Sequence, residues 1–137
     1  MNILYLMEGS MKHLNNFANY TKDELKGVLL LEEKIKKNQD NYAHILDGKK
    51  LYTLFEKTST RTYLSFTIGM EELGGRAYNQ LWDNSNFTIG DLMSEVKYVG
   101  RNVDCIMGRF KKAETTKSFM QYSTVPVING CDNIFHP

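Results

Sequence analysis

Cysteine is almost missing from this sequence: Cys105 and Cys131 are the only two in 137 residues. They show no C-x-x-C spacing, which excludes a zinc framework and a disulfide-stapled scaffold and fits a reducing cytoplasm. Charge of one sign is missing as well. Seventeen Lys and Arg against sixteen Asp and Glu leave a formal charge of +1. The overall electrostatics therefore give no case for nucleic acid or an anionic membrane as partner, and any anion site has to be local. No apolar run approaches the roughly 20 residues that cross a bilayer. The start, residues 1–7, has neither the basic flank nor the length of a signal peptide. No internal repeat, low-complexity stretch or linker divides the chain.

What is present is the composition of a globular protein, 42% apolar, 12% aromatic and 24% charged, which excludes disorder as a description of the whole. At 15.8 kDa, area scaling gives roughly 7,300 Å² exposed when folded against roughly 23,000 Å² unfolded, enough burial for one core without staples. The expected unit is a single domain over 11–137. Residues 1–10 read as a loose tail or an alternative start, because Met11 begins the first segment with a clear pattern.

Thr21-Lys22-Asp23-Glu24 has the T-x-x-E form of a capping box, with Tyr20 placed to staple against Leu25, and predicts a helix start. Leu25, Val28, Leu31 and Ile35 continue at helical spacing to Asn38, while Glu32, Glu33, Lys34, Lys36 and Lys37 make the solvated face. After an Asp47-Gly48 turn, 51–55 reads as a strand. From Thr62, the spacing of Tyr63, Phe66, Met70 and Leu73 predicts a helix that Gly74-Gly75 stops. A strand follows over 76–82, then a polar loop over 83–87. Thr88-x-x-Asp91 opens a helix carrying Leu92, Val96 and Val99 and closing near Gly100. A strand over 103–107, a short helix over 113–122 and a strand over 125–129 complete the chain. Strands alternating with such helices are βαβ crossovers. The expected fold is α/β, a three-layer domain with a central parallel sheet of about four strands flanked by helices.

Sheets of this kind bind ligands beyond the carboxyl ends of their strands, which selects three loops. The first, F-E-K-T-S-T-R-T at 55–62, sets hydroxyls and a guanidinium at a strand-to-helix turn. A helix start offers unsatisfied N–H groups and a partial positive charge, so Ser59, Thr60, Arg61 and Thr62 suit a phosphate, although Ser and Thr there are also ordinary caps. The second loop carries Arg109, directly beyond the apolar strand 103–107, with Lys111 and Lys112 behind it. The third carries His136. Singly, each is an unremarkable surface residue; together they occupy one predicted sheet edge.

Three motifs in order, F-E-K-T-S-T-R-T, then L-S-F-x-x-x-M-x-x-L-G-G at 64–75, then V-P-V-I-N-G-x-x-x-x-F-H-P at 125–137, resemble the carbamoyltransferase family. The likeness runs from about Met11 to the last residue and covers that family's amino-terminal, carbamoyl-phosphate-binding domain. Its wording is more similar to ornithine than to aspartate carbamoyltransferases. The resemblance implies carbamoyl transfer from carbamoyl phosphate to the ornithine amine, giving citrulline and phosphate. It makes Ser59, Thr60, Arg61 and Thr62 the phosphate group, and Arg109 and His136 the pair that binds and polarises the carbamoyl carbonyl. It further implies no metal or organic cofactor, ornithine as second substrate, a trimer with active sites between subunits, and a place in cytoplasmic arginine metabolism.

Three departures from the family are visible. Tyr63 stands where it has a basic residue after S-T-R-T. Residues 83–91, D-N-S-N-F-T-I-G-D, lack its glycine-rich loop with the Gln or Lys that reaches a neighbouring subunit. The chain stops at His136-Pro137, short of the Gln that follows and of the amino-acid-binding second domain. The expectation is half an enzyme, inactive alone. Two alternatives stay open: an aspartate carbamoyltransferase domain, and a non-catalytic anion-binding module or divergent paralogue, which the altered 83–91 loop favours.

Overall fold

The computed structural model describes residues 11–135. In chain order the elements are α1 (Lys22–Lys37), β1 (Lys50–Phe55), α2 (Thr60–Glu72), β2 (Arg76–Leu81), α3 (Leu92–Gly100), β3 (Cys105–Arg109), α4 (Ala113–Tyr122) and β4 (Val127–Asn129). The four strands form one sheet in the order β2-β1-β3-β4, every pair parallel. The expected α/β architecture is thus the one observed.

The layering follows from strand β1, buried without interruption from Leu51 to Phe55, as a strand covered on both faces must be. Side chains alternate across it. Leu51 and Phe55 meet Met107 beneath Phe66 and Met70 of α2. Tyr52 and Leu54 join Ile106, Phe110, Phe119, Val96 and Val127 on the opposite face, under α3 and α4. The second cluster is the larger and is built on aromatic contact: the Phe119 ring lies 4.6 Å from that of Phe110 and 5.2 Å from that of Phe87.

Helix α1 starts where the capping box puts it. The Thr21 hydroxyl accepts the Glu24 N–H at 3.2 Å, and the Glu24 carboxylate accepts the Thr21 N–H at 2.7 Å. Its apolar stripe is only partly covered: no residue of α1 is fully buried, Val28 of the stripe is 49% exposed, and Leu29 and Leu30 beside it are exposed as well.

Several boundaries differ from expectation. Helix α2 begins at Thr60, because the Ser59 hydroxyl, which accepts the Thr62 N–H, is its cap. Helix α3 is capped by the Asp91 carboxylate, not opened from Thr88. Residues 83–87 are no plain polar loop. They wind into two short 3-10 turns, and Phe87 is buried against Trp82 and Phe119. Strand β3 runs to Arg109 instead of ending at Met107, and Val103 and Val125 lie outside the strands, in contact with the core. A further piece of sheet precedes α1. Leu14 bridges to Ile128: its N–H donates to the Val127 carbonyl and its carbonyl accepts the Asn129 N–H, each at 2.8 Å.

Candidate active site at the carboxyl edge

Parallel pairing sends all four strands out at one edge, so the segments after β1, β3 and β4 must meet there. They do so through bonds as well as topology. The Glu56 N–H donates to the Arg109 carbonyl at 2.9 Å, and the Gly130 N–H to the Gly108 carbonyl at 2.7 Å. The Lys111 N–H donates to the Glu56 carboxylate at 2.8 Å.

After β1 comes the start of α2. Ser59 caps it, its Oγ 3.0 Å from Thr62 Oγ1 and 3.3 Å from the Thr62 N–H nitrogen. The Tyr63 N–H is held by the Ser59 carbonyl at 3.0 Å. The first-turn N–H groups of Thr60 and Arg61 have no acceptor within the helix, by its geometry. Both residues are exposed, while Ser59 and Thr62 are half-buried. The capping function of the hydroxyls is therefore real, and it leaves two N–H groups and one guanidinium turned to solvent at the positive end of a 13-residue helix.

Arg109 is the last residue of β3, in register with Phe55 of β1. Strand alternation puts it on the Met107 face, the face that α2 covers. One guanidinium nitrogen donates to the Gly130 carbonyl at 2.7 Å. Its Nε is buried and has no partner among the described residues, a costly condition for a charged donor that a bound anion relieves. Gly108 and Gly130 make the close approach at this edge: a Cβ on Gly108 would fall 2.1 Å from the Phe110 ring, and one on Gly130 would fall 2.5 Å from Met107 Sδ.

The segment after β4 has two non-glycine residues with left-handed backbone, Cys131 at φ 98° and Asn133 at φ 72°. Between them Asp132 is buried and accepts N–H groups from Ile134 at 3.1 Å and Phe135 at 2.8 Å. Burial alone would raise its carboxyl, but these bonds and one from the Asn129 amide outweigh it and hold the group below the usual carboxylate range. The Asn133 backbone, with Lys57 and Arg109, holds the Cys131 thiol below its ordinary range, whereas burial pushes Cys105 up to about 11. The turn ends next to His136, which lies outside the described residues.

Four of the six expected site residues, Ser59, Thr60, Arg61 and Thr62, thus share the α2 terminus, and Arg109 emerges on the same face of the adjoining strand. Sequence reasoning passed over Lys57, whose ammonium reaches Asn133 Oδ1 and lies 3.6 Å from Cys131 Sγ. Its place inside F-E-K-T-S-T-R-T was the one available signal. A separate groove of about 490 Å³, bordered by Tyr52, Gln80, Glu95 and Tyr98, contains none of these residues. Among the described residues no helix is long and apolar enough to cross a membrane, and no three His, Cys, Asp or Glu side chains gather as metal ligands.

Residues 12–137 match the family described as aspartate/ornithine carbamoyltransferase, carbamoyl-P binding domain. The chain belongs to that family. This carbamoyltransferase domain is 39% identical over 132 residues to the ornithine carbamoyltransferase of Archaeoglobus fulgidus, covering 93% of the chain and 42% of that relative. Among solved structures it is similar to ornithine carbamoyltransferase from Pyrococcus furiosus, with a TM-score of 0.87 and 32% identity over 93% of this chain and 42% of that one. Anabolic ornithine carbamoyltransferase from Campylobacter jejuni gives 0.85 at 32% identity, with the same coverage. The domain therefore spans about two-fifths of the length of the relatives it matches.

Proposed function

We propose that this chain is the carbamoyl-phosphate-binding half of an ornithine carbamoyltransferase. The observation that carries the reading is the buried Nε of Arg109, without a partner among the described residues, at the edge where the α2 terminus opens. Thr60, Arg61 and Thr62 receive the phosphate, with Ser59 shaping the turn. Arg109 and His136 take the carbamoyl oxygen. Attack by an amine on the carbamoyl carbon drives negative charge onto that oxygen, and preorganised donors aimed at it lower the barrier. The leaving phosphate is stabilised at the helix start. Ornithine, as in the names of the relatives, is the amine, held by a second domain joined to this one. The working assembly is a trimer in the cytoplasm, serving arginine metabolism; two free thiols, Cys105 and Cys131, are in keeping with a reducing compartment.

A second reading, an anion-binding module without turnover, is favoured by residues 83–91, which Phe87 pins into their own core. Citrulline formation on adding the amino-acid-binding domain of a relative separates the two. The shared claim is tested by calorimetric titration of carbamoyl phosphate into the 137-residue chain, in phosphate-free buffer at low ionic strength, where an ionic contact is least screened. Arg61→Ala removes a charge-assisted partner and weakens binding by about 1.5–3 kcal/mol. Equal affinity in both forms would place the site elsewhere.

A further inference from the structure

The three loops at the carboxyl edge are closed into a ring by side-chain bonds. Glu56, after β1, accepts the Lys111 N–H at 2.8 Å. The Lys111 carbonyl, after β3, accepts the Asn133 Nδ2–H at 2.8 Å. Asn133 Oδ1, after β4, accepts the Lys57 ammonium, which returns the ring to the loop after β1. Within this ring the Asn133 amide uses both its ends, one toward each neighbouring loop. Lys57 precedes Ser59 by two residues, Lys111 follows Arg109 by two, and Asn133 precedes His136 by three. Each corner of the ring thus adjoins one piece of the candidate anion site.

We propose that Asn133 is a positioning residue. Through Lys57 and Lys111 it fixes the spacing between the α2 terminus, Arg109 and the segment leading to His136, so that the anion meets a preformed site. This rests on the carbamoyl-phosphate reading above. Two observations argue that the ring is needed. Cys131 holds left-handed backbone at φ 98°, a conformation that a cysteine keeps only where its surroundings impose it, and Lys57 touches the side chains of both Cys131 and Asn133. Moreover the ring bonds are largely exposed, so they add little to the core, and their contribution is to geometry.

Asn133→Gly deletes both side-chain bonds, suits the left-handed backbone better than any other residue and leaves the charge unchanged. In a titration of the 137-residue chain with inorganic phosphate, followed by amide NMR, this variant binds about tenfold more weakly, at nearly unchanged melting temperature. Its Lys111 amide exchanges faster with solvent although its own acceptor, Glu56, is intact. Glu56→Ala sets charge against position. Removing a carboxylate near an anion site strengthens phosphate binding if charge alone matters and weakens it if the ring matters; the proposal requires weakening, and restored affinity in Glu56→Gln, which keeps the acceptor. Phosphate affinity equal to wild type in Asn133→Gly, or a gain in Glu56→Ala, overturns the proposal while the anion reading stands. A wild-type chain that binds no phosphate overturns the anion reading and the proposal with it.

Discussion

Arg109→Ala separates a residue that holds the fold from one that waits for an anion. In the structure its guanidinium makes one bond, to the Gly130 carbonyl at 2.7 Å, and buries an Nε with no partner among the described residues. Losing the first costs about 1.5–3 kcal/mol as a charge-assisted bond, and losing the second returns about 1–3 kcal/mol of unmet desolvation. The two offset, so in phosphate-free buffer the variant melts within a few degrees of wild type, at about 3–5 °C per kcal/mol for a domain of this size. Carbamoyl phosphate changes the comparison. At a hundred times its dissociation constant it stabilises wild type by about 2.7 kcal/mol. A variant that binds it about 10 to 100 times more weakly gains only about 0.4–1.4 kcal/mol at the same concentration. Urea unfolding with and without carbamoyl phosphate, in phosphate-free buffer at ionic strength matched with potassium chloride, therefore shows a gain in stability cut to about half or less. An undiminished gain in Arg109→Ala would refute the assignment, and a large loss of stability without the ligand would make Arg109 a structural residue.

Two further outcomes test the frame that carries the site. Phe119 is fully buried between Phe87 and Phe110, so Phe119→Ala lowers stability by about 3–5 kcal/mol in urea unfolding, and a loss below about 1 kcal/mol would mean that the aromatic cluster is not the core described. His13 Nδ1 accepts the Val127 N–H at 3.0 Å. Burial lowers its pKa below 6.5, against a smaller opposing effect of the Met120 carbonyl. The folded chain then binds fewer protons than the unfolded one below that value, so the His13 contribution is complete above pH 6.5 and is lost as pH falls through the lowered pKa. Melting temperature in His13→Gln should fall less than in wild type over that window; parallel curves would contradict the sign.

The sheet was legible because β1 and its crossovers are written in strong local signals. The Thr21 capping box, the α2 stripe of Phe66 and Met70 and the short helix over 113–122 all appear where their residue types require. Boundaries failed where apolar character and ladder membership part company. Val103 and Val125 are apolar because they touch the core under α3 and α4, yet pairing begins only after them. The Leu14 bridge was invisible since its partners, Val127 and Asn129, are distant in sequence. At the site, Ser59 to Thr62 and Arg109 were readable from residue chemistry at strand ends. The ring through Glu56, Lys57, Lys111 and Asn133 was not, because an exposed lysine or asparagine has no pattern until the loops are brought together.

Amide NMR mapping of a carbamoyl phosphate titration, in buffer free of phosphate, shows directly whether the three loops bind carbamoyl phosphate as one site. The result required is that the amides of Thr60, Arg61 and Thr62, of Arg109 and Lys111, and of Gly130 to Asn133 move together along one binding curve. Shifts confined to the groove bordered by Tyr52, Gln80, Glu95 and Tyr98, or separate curves for the separate loops, would contradict it.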